Sequence, residues 1–65
     1  MESPLTVRER DILRAAGRSL SSGEIAAQLH VAQGTVDNHL SSIIRKLRAR
    51  NRLEAVRIAE EKGWI

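Results

Sequence analysis

The stretch from Gln33 to Leu47, QGTVDNHLSSIIRKL, constrains this chain more than any other. At about 100° per residue on a helix, Val36, Leu40, Ile43 and Leu47 fall in one narrow stripe, and such a stripe has to face a core. The opposite side carries Gly34, Asn38, Ser41 and Arg45, with Thr35, Ser42 and Lys46 along one shoulder and Asp37 and Arg48 along the other. None of these is large and apolar. Short hydrogen-bonding side chains in the first half and cations in the second suit a nucleic-acid groove, where the former reach base edges and the latter sit beside phosphates.

A chain of 65 residues has room for one small module, taken here as 1–65 with an ordered core over about 5–65. Without cysteine it can build neither a disulfide framework nor a thiolate metal site, and two histidines alone make no convincing metal centre. No apolar run approaches a membrane span and the N-terminus lacks the form of a signal peptide, so a cytoplasmic location is expected. The formal net charge of +3 favours polyanions. Its distribution says more, because Arg45, Lys46, Arg48, Arg50 and Arg52 follow one another with no acid between them. The plainer alternative is a solvated basic face.

Before that helix, Thr6 with Glu9 and Ser21 with Glu24 have the spacing of capping boxes and mark two helix starts. The first helix turns Ile12, Leu13 and Ala16 inward and stops at Gly17; a Met1–Pro4 lead precedes it and is expected to be mobile. The second is about two turns long, with Ile25, Ala26 and Leu29 inward, and loses phase with Val36 across Gln28–Gln33. Two short helices joined by a tight turn, the second with a polar outer face, form a helix-turn-helix. Asn51 with Glu54 starts a fourth helix running to about Lys62, where Leu53, Ala55, Val56, Ile58 and Ala59 cover more than one side and suggest a partner surface. Gly63 ends it, and Trp64 and Ile65 fold back over the bundle. The expected fold is all-α, a four-helix bundle.

Leu5-Thr6 with Arg8-Glu9, Ser21 with Glu24-Ile25-Ala26, Gly34-Thr35-Val36 with Asn38-His39, Lys46-Leu47, and Asn51-Arg52 with Glu54-Ala55 together resemble the LuxR/NarL/FixJ DNA-binding domain over about Leu5 to Ile65. Within that family, Gly34-Thr35-Val36 and the closing Glu61-Lys62-Gly63-Trp64 look most like the DesR-type response regulators. The resemblance implies a third helix in the DNA major groove and a fourth that pairs two copies, here through Ala55, Ile58, Ala59 and Lys62. It implies base-facing positions at Gly34, Asp37, Asn38 and Ser41. Phosphate contacts are expected from Thr35, His39, Ser42, Arg45, Lys46, Asn51 and Arg52, with Arg48 and Arg50 as ordinary surface charge. It also implies an N-terminal receiver, which is not in this chain; an excised effector domain and a stand-alone regulator both stay open. No cofactor is implied. Two departures from the family pattern stand out. Asp37 occupies a place often basic, where it either accepts from a cytosine amino group or caps locally, and Ala32 stands where Ser or Thr usually caps the third helix.

Asn38 reads as an adenine contact or as a solvated polar residue, and His39, beside the buried stripe, as a phosphate contact, an edge-packing residue or both. No enzyme is expected: Ser42, His39 and Asp37 have triad chemistry but point in different directions around one helix and cannot line up as nucleophile, base and orienter. There is no glycine-rich phosphate loop. The alternative function is a small helical protein-interaction module using the apolar side of the fourth helix. A helix three without exposed Leu or Trp anchors argues against it.

Overall fold

The computed structural model describes residues 3–65. It has four helices and no strand among the described residues: α1 (Val7–Gly17), α2 (Ser22–Leu29), α3 (Gln33–Leu47) and α4 (Arg52–Glu61). Helices α1 and α3 each touch the other three, while α2 lies along α3 and α4 closes the bundle against both. One core holds Leu5, Ile12, Leu13, Ile25, Val36, Leu40, Ile43 and Val56, with Ala15, Ala16, Ala26, Ala55 and Ala59 where backbones approach closely.

Three of the four helix starts have a side-chain cap. Thr6 Oγ1 accepts the Glu9 N–H at 3.1 Å while Glu9 Oε1 accepts the Thr6 N–H at 2.8 Å. Ser21 and Glu24 repeat the exchange at 3.1 and 2.8 Å. Each box satisfies two backbone donors that the first turn leaves orphaned. At α4, Asn51 Oδ1 accepts the Glu54 N–H at 2.9 Å, but the Glu54 carboxylate turns outward to Arg50, accepting its N–H at 2.8 Å and its Nε–H at 3.1 Å. Helix α3 has no side-chain cap, as the alanine at position 32 leads one to expect.

All four helices end the same way. A left-handed residue follows the last turn, and the N–H after it returns to the carbonyl five residues back: Leu20 to Ala15, Val31 to Ala26, Ala49 to Ile44 and Trp64 to Ala59. This is the Schellman geometry, and the residue that closes each motif packs, half-buried, on the core. Only the last uses glycine, Gly63 with φ 73°; Ser19, His30 and Arg48 adopt φ 65°, 58° and 53°. Helix α1 does end at Gly17, as expected, but the left-handed residue of the stop is Ser19. Gly17 serves a different end, since a Cβ there would stand 3.3 Å from Val56 Cγ1 of α4. Of the expected mobile Met1–Pro4 lead, Met1 and Glu2 lie outside the described residues. Ser3 and Pro4 do not hang free: Ser3 Oγ accepts the Leu5 N–H at 3.0 Å, and Leu5 is in the core.

Candidate nucleic-acid interface

Helix α3 divides along its length. Val36, Leu40 and Ile43 are buried against α1, α2 and α4, so rotation about the helix axis is fixed. That rotation exposes Gly34, Thr35, Asp37, Asn38, Ser41 and Arg45 on one continuous face, with His39 and Ser42 half-buried at its edge. Gly34 has open space where a Cβ would stand, so the backbone itself is accessible there. Among the described residues, none of the side-chain hydrogen bonds or ion pairs engages Asp37, Asn38 or Ser41.

The expected phosphate set does not come together as one cluster. Lys46 Nζ lies 2.7 Å from Glu9 Oε1 and 3.5 Å from the Pro4 carbonyl, which makes it a strut between α3 and the start of α1. Glu9 is only 4% exposed, so its carboxylate requires that cation. Burial pushes the Glu9 carboxyl up, but the Lys46 hydrogen bond and charge and the Thr6 bonds outweigh it and hold the group below its ordinary value. Arg52 is likewise engaged, donating from Nη1 to the Leu20 carbonyl at 3.0 Å and from Nη2 to Ser22 Oγ at 2.7 Å, and so pinning α4 to the start of α2. Asn51 caps α4 with its side-chain oxygen. All three polar ends therefore have partners inside the domain: Lys46 and Arg52 reach residues 30 or more positions away, and Asn51 the first turn of the helix it caps. Among the described residues, Arg45 and Arg48 are exposed and in none of the ion pairs, whereas Arg50 is paired with Glu54 at 3.1 Å. Arg48, set aside in the sequence as ordinary surface charge, is thus an exposed cation at the end of α3 on a left-handed backbone, without an ion pair among the described residues.

Helix α4 needs a correction. Ala55 and Ala59 are completely buried and, with Val56, form the inward stripe that packs on α1, so they are not available to a second copy. The outward side carries Leu53, 76% exposed, with Arg57, Glu60, Glu61 and Lys62, and Ile58 is half-buried at its margin. Leu53 is the apolar residue that the breadth of the helix-four pattern signalled without separating inner from outer positions.

Among the described residues no group of His, Cys, Asp and Glu is arranged to hold a metal ion, and no helix is long and apolar enough to cross a membrane. The clefts are shallow, the one between the α1–α2 turn and the start of α4 being about 330 Å³ and bridged by Arg52.

The sequence and the fold are both similar to those of known proteins. The profile of the family described as bacterial regulatory proteins, luxR family, matches residues 3–59. The chain is 56% identical over 64 residues to the uncharacterized transcriptional regulatory protein YvfU of Bacillus subtilis (strain 168), covering 98% of this chain and 32% of that protein. It is 42% identical over 63 residues to the transcriptional regulatory protein DesR of the same organism, covering 97% and 32%. Among solved structures, the transcription factor GerE matches with a TM-score of 0.90 at 37% identity, over 95% of this chain and 92% of that one. Response regulator ChrA, from a heme-sensing two-component system, matches at 0.91 and 34%, over 100% and 32%. The chain spans about a third of the length of the curated relatives just named. It belongs to the luxR family of bacterial regulatory proteins, as a helix-turn-helix domain homologous to transcriptional and response regulators.

Proposed function

We propose that this domain binds double-stranded DNA in the bacterial cytoplasm with α3 in the major groove. Gly34, Asp37, Asn38 and Ser41 meet base edges, while Thr35, His39, Ser42, Arg45 and Arg48 meet the backbone. The observation that carries this reading is the outer face of α3, where short polar groups without partners among the described residues stand on a helix whose rotation is locked by Val36, Leu40 and Ile43. Groups left uncommitted by the fold are free to pair with bases, and a rigid element places them in register. Asn38, near the centre of the face, has the side chain for a bidentate contact to adenine N6 and N7. Lys46 and Arg52 act indirectly, by holding α3 and α4 in place.

The domain works as the output half of a response regulator whose receiver lies outside these residues, and two copies pair through the outer side of α4, Leu53 and Ile58 with Arg57 and Lys62, on two half-sites. The names of the relatives support the first point, and the exposed Leu53 supports the second. Titration of Asn38→Ala against a preferred duplex and its single-base variants tests the reading. Affinity for the preferred site falls by about 1–3 kcal/mol and discrimination relaxes at one base pair. An equal loss on every duplex contradicts base reading by Asn38.

A further inference from the structure

Asp37 is the one charged residue on α3 before Arg45, eight residues and about 12 Å further along the axis. It is exposed, and among the described residues it takes part in none of the ion pairs. Nor does it cap its own helix: α3 begins after Ala32 without any side-chain cap and without an acid in its first turn, and Asp37 stands beyond that turn. The local role left open by the sequence is therefore closed. What remains is a carboxylate one turn before Ser41, on the face proposed to meet DNA, where any nearby phosphate repels it.

We propose that Asp37 is a specificity-determining residue that selects a cytosine in each half-site by accepting a hydrogen bond from its exocyclic amino group, and that its charge suppresses binding to unrelated sequences. The proposal rests on the reading of α3 as the base-reading helix. An ionised carboxylate only accepts, so among major-groove edges it is matched by those that donate. Guanine presents two acceptors and thymine one, and both repel it. Adenine has an amino donor, but its N7 acceptor lies beside that donor and faces the same carboxylate. Cytosine offers its free N4–H with no acceptor on its own major-groove edge. The cost of a negative charge near the duplex falls on every sequence, while the hydrogen bond is recovered only at the matched base, so the residue trades general affinity for discrimination.

The test uses the duplex preferred by the wild-type domain, with each base pair of the half-site varied in turn, together with an unrelated duplex. Wild type, Asp37→Asn and Asp37→Ser are titrated at one fixed salt concentration. Circular dichroism shows that the variants keep the fold, which an exposed residue without partners leads one to expect. Wild type favours cytosine at one position by about 10- to 100-fold. Asp37→Asn loses that preference or moves it to adenine, Asp37→Ser flattens it, and both bind the unrelated duplex more tightly. The proposal is overturned if both variants tighten binding to every duplex by the same factor with the wild-type base preferences intact, because the carboxylate then only repels phosphate. A wild-type domain that binds DNA with no base preference at all overturns the reading of α3 itself.

Discussion

Lys46 separates a structural account of the basic run from a purely DNA-binding one. Its ammonium is 2.7 Å from Glu9 Oε1, and the side chains are 36% and 5% exposed. Lys46→Met keeps the aliphatic stem and removes the charge, leaving the Glu9 carboxylate, among the described residues, with its capping bond from the Thr6 N–H alone. A fully buried pair broken in this way costs about 3–5 kcal/mol and an exposed one about 0–1 kcal/mol. With one partner buried and the other a third exposed, the expected loss is about 2 kcal/mol. A domain of this size has roughly 3–10 kcal/mol in all, so the melting temperature falls by about 8–16 °C. The pH dependence follows from Glu9. Its carboxyl is depressed below 4.5 in the folded chain, so the pair contributes fully above that pH and is lost as the pH falls through the folded value. Without Lys46, burial is less opposed and that value rises, so the two proteins differ most near neutrality and converge in acid, where Glu9 is neutral in both. Urea denaturation at several pH values measures this. A difference under about 0.5 kcal/mol at pH 7 refutes the strut, since that is the range of an ordinary surface pair. So does a difference that persists undiminished below the Glu9 titration.

Three further outcomes are expected. Ala32→Ser supplies the missing cap of α3 and stabilises the fold by about 1 kcal/mol in chemical denaturation. Gly34→Ala meets nothing within 4 Å and removes a helix glycine, so stability rises by up to about 1 kcal/mol while binding to the preferred duplex weakens, a divergence that a purely structural glycine does not produce. Leu53→Glu leaves thermal stability within about 0.5 kcal/mol of wild type, because the residue is 76% exposed, yet impairs simultaneous occupancy of paired half-sites in a gel-shift titration; intact pairing places the contact between copies elsewhere.

What the sequence made legible is what short-range chemistry decides. The Thr6–Glu9 and Ser21–Glu24 boxes, the capless start at Ala32 and the α3 stripe each depend on residues within two turns of one another, so spacing alone reveals them. Helix ends were harder, because a left-handed position invites glycine but Ser19, His30 and Arg48 take it, stabilised by the half-buried residue that follows each. The roles of Lys46 and Arg52 were not legible, since their partners lie 37 and about 30 residues away. Nor were the two sides of α4: Ala55 and Leu53 look alike as apolar residues until α1 packs against one and leaves the other in solvent.

The most direct test of the central claim is selection of bound duplexes from a random DNA pool at near-physiological salt, where non-specific attraction is weak. The account predicts enrichment of a short sequence occurring as an inverted repeat, with Asn38→Ala changing the base preferred at one position. A wild-type domain that enriches no sequence while remaining folded contradicts it.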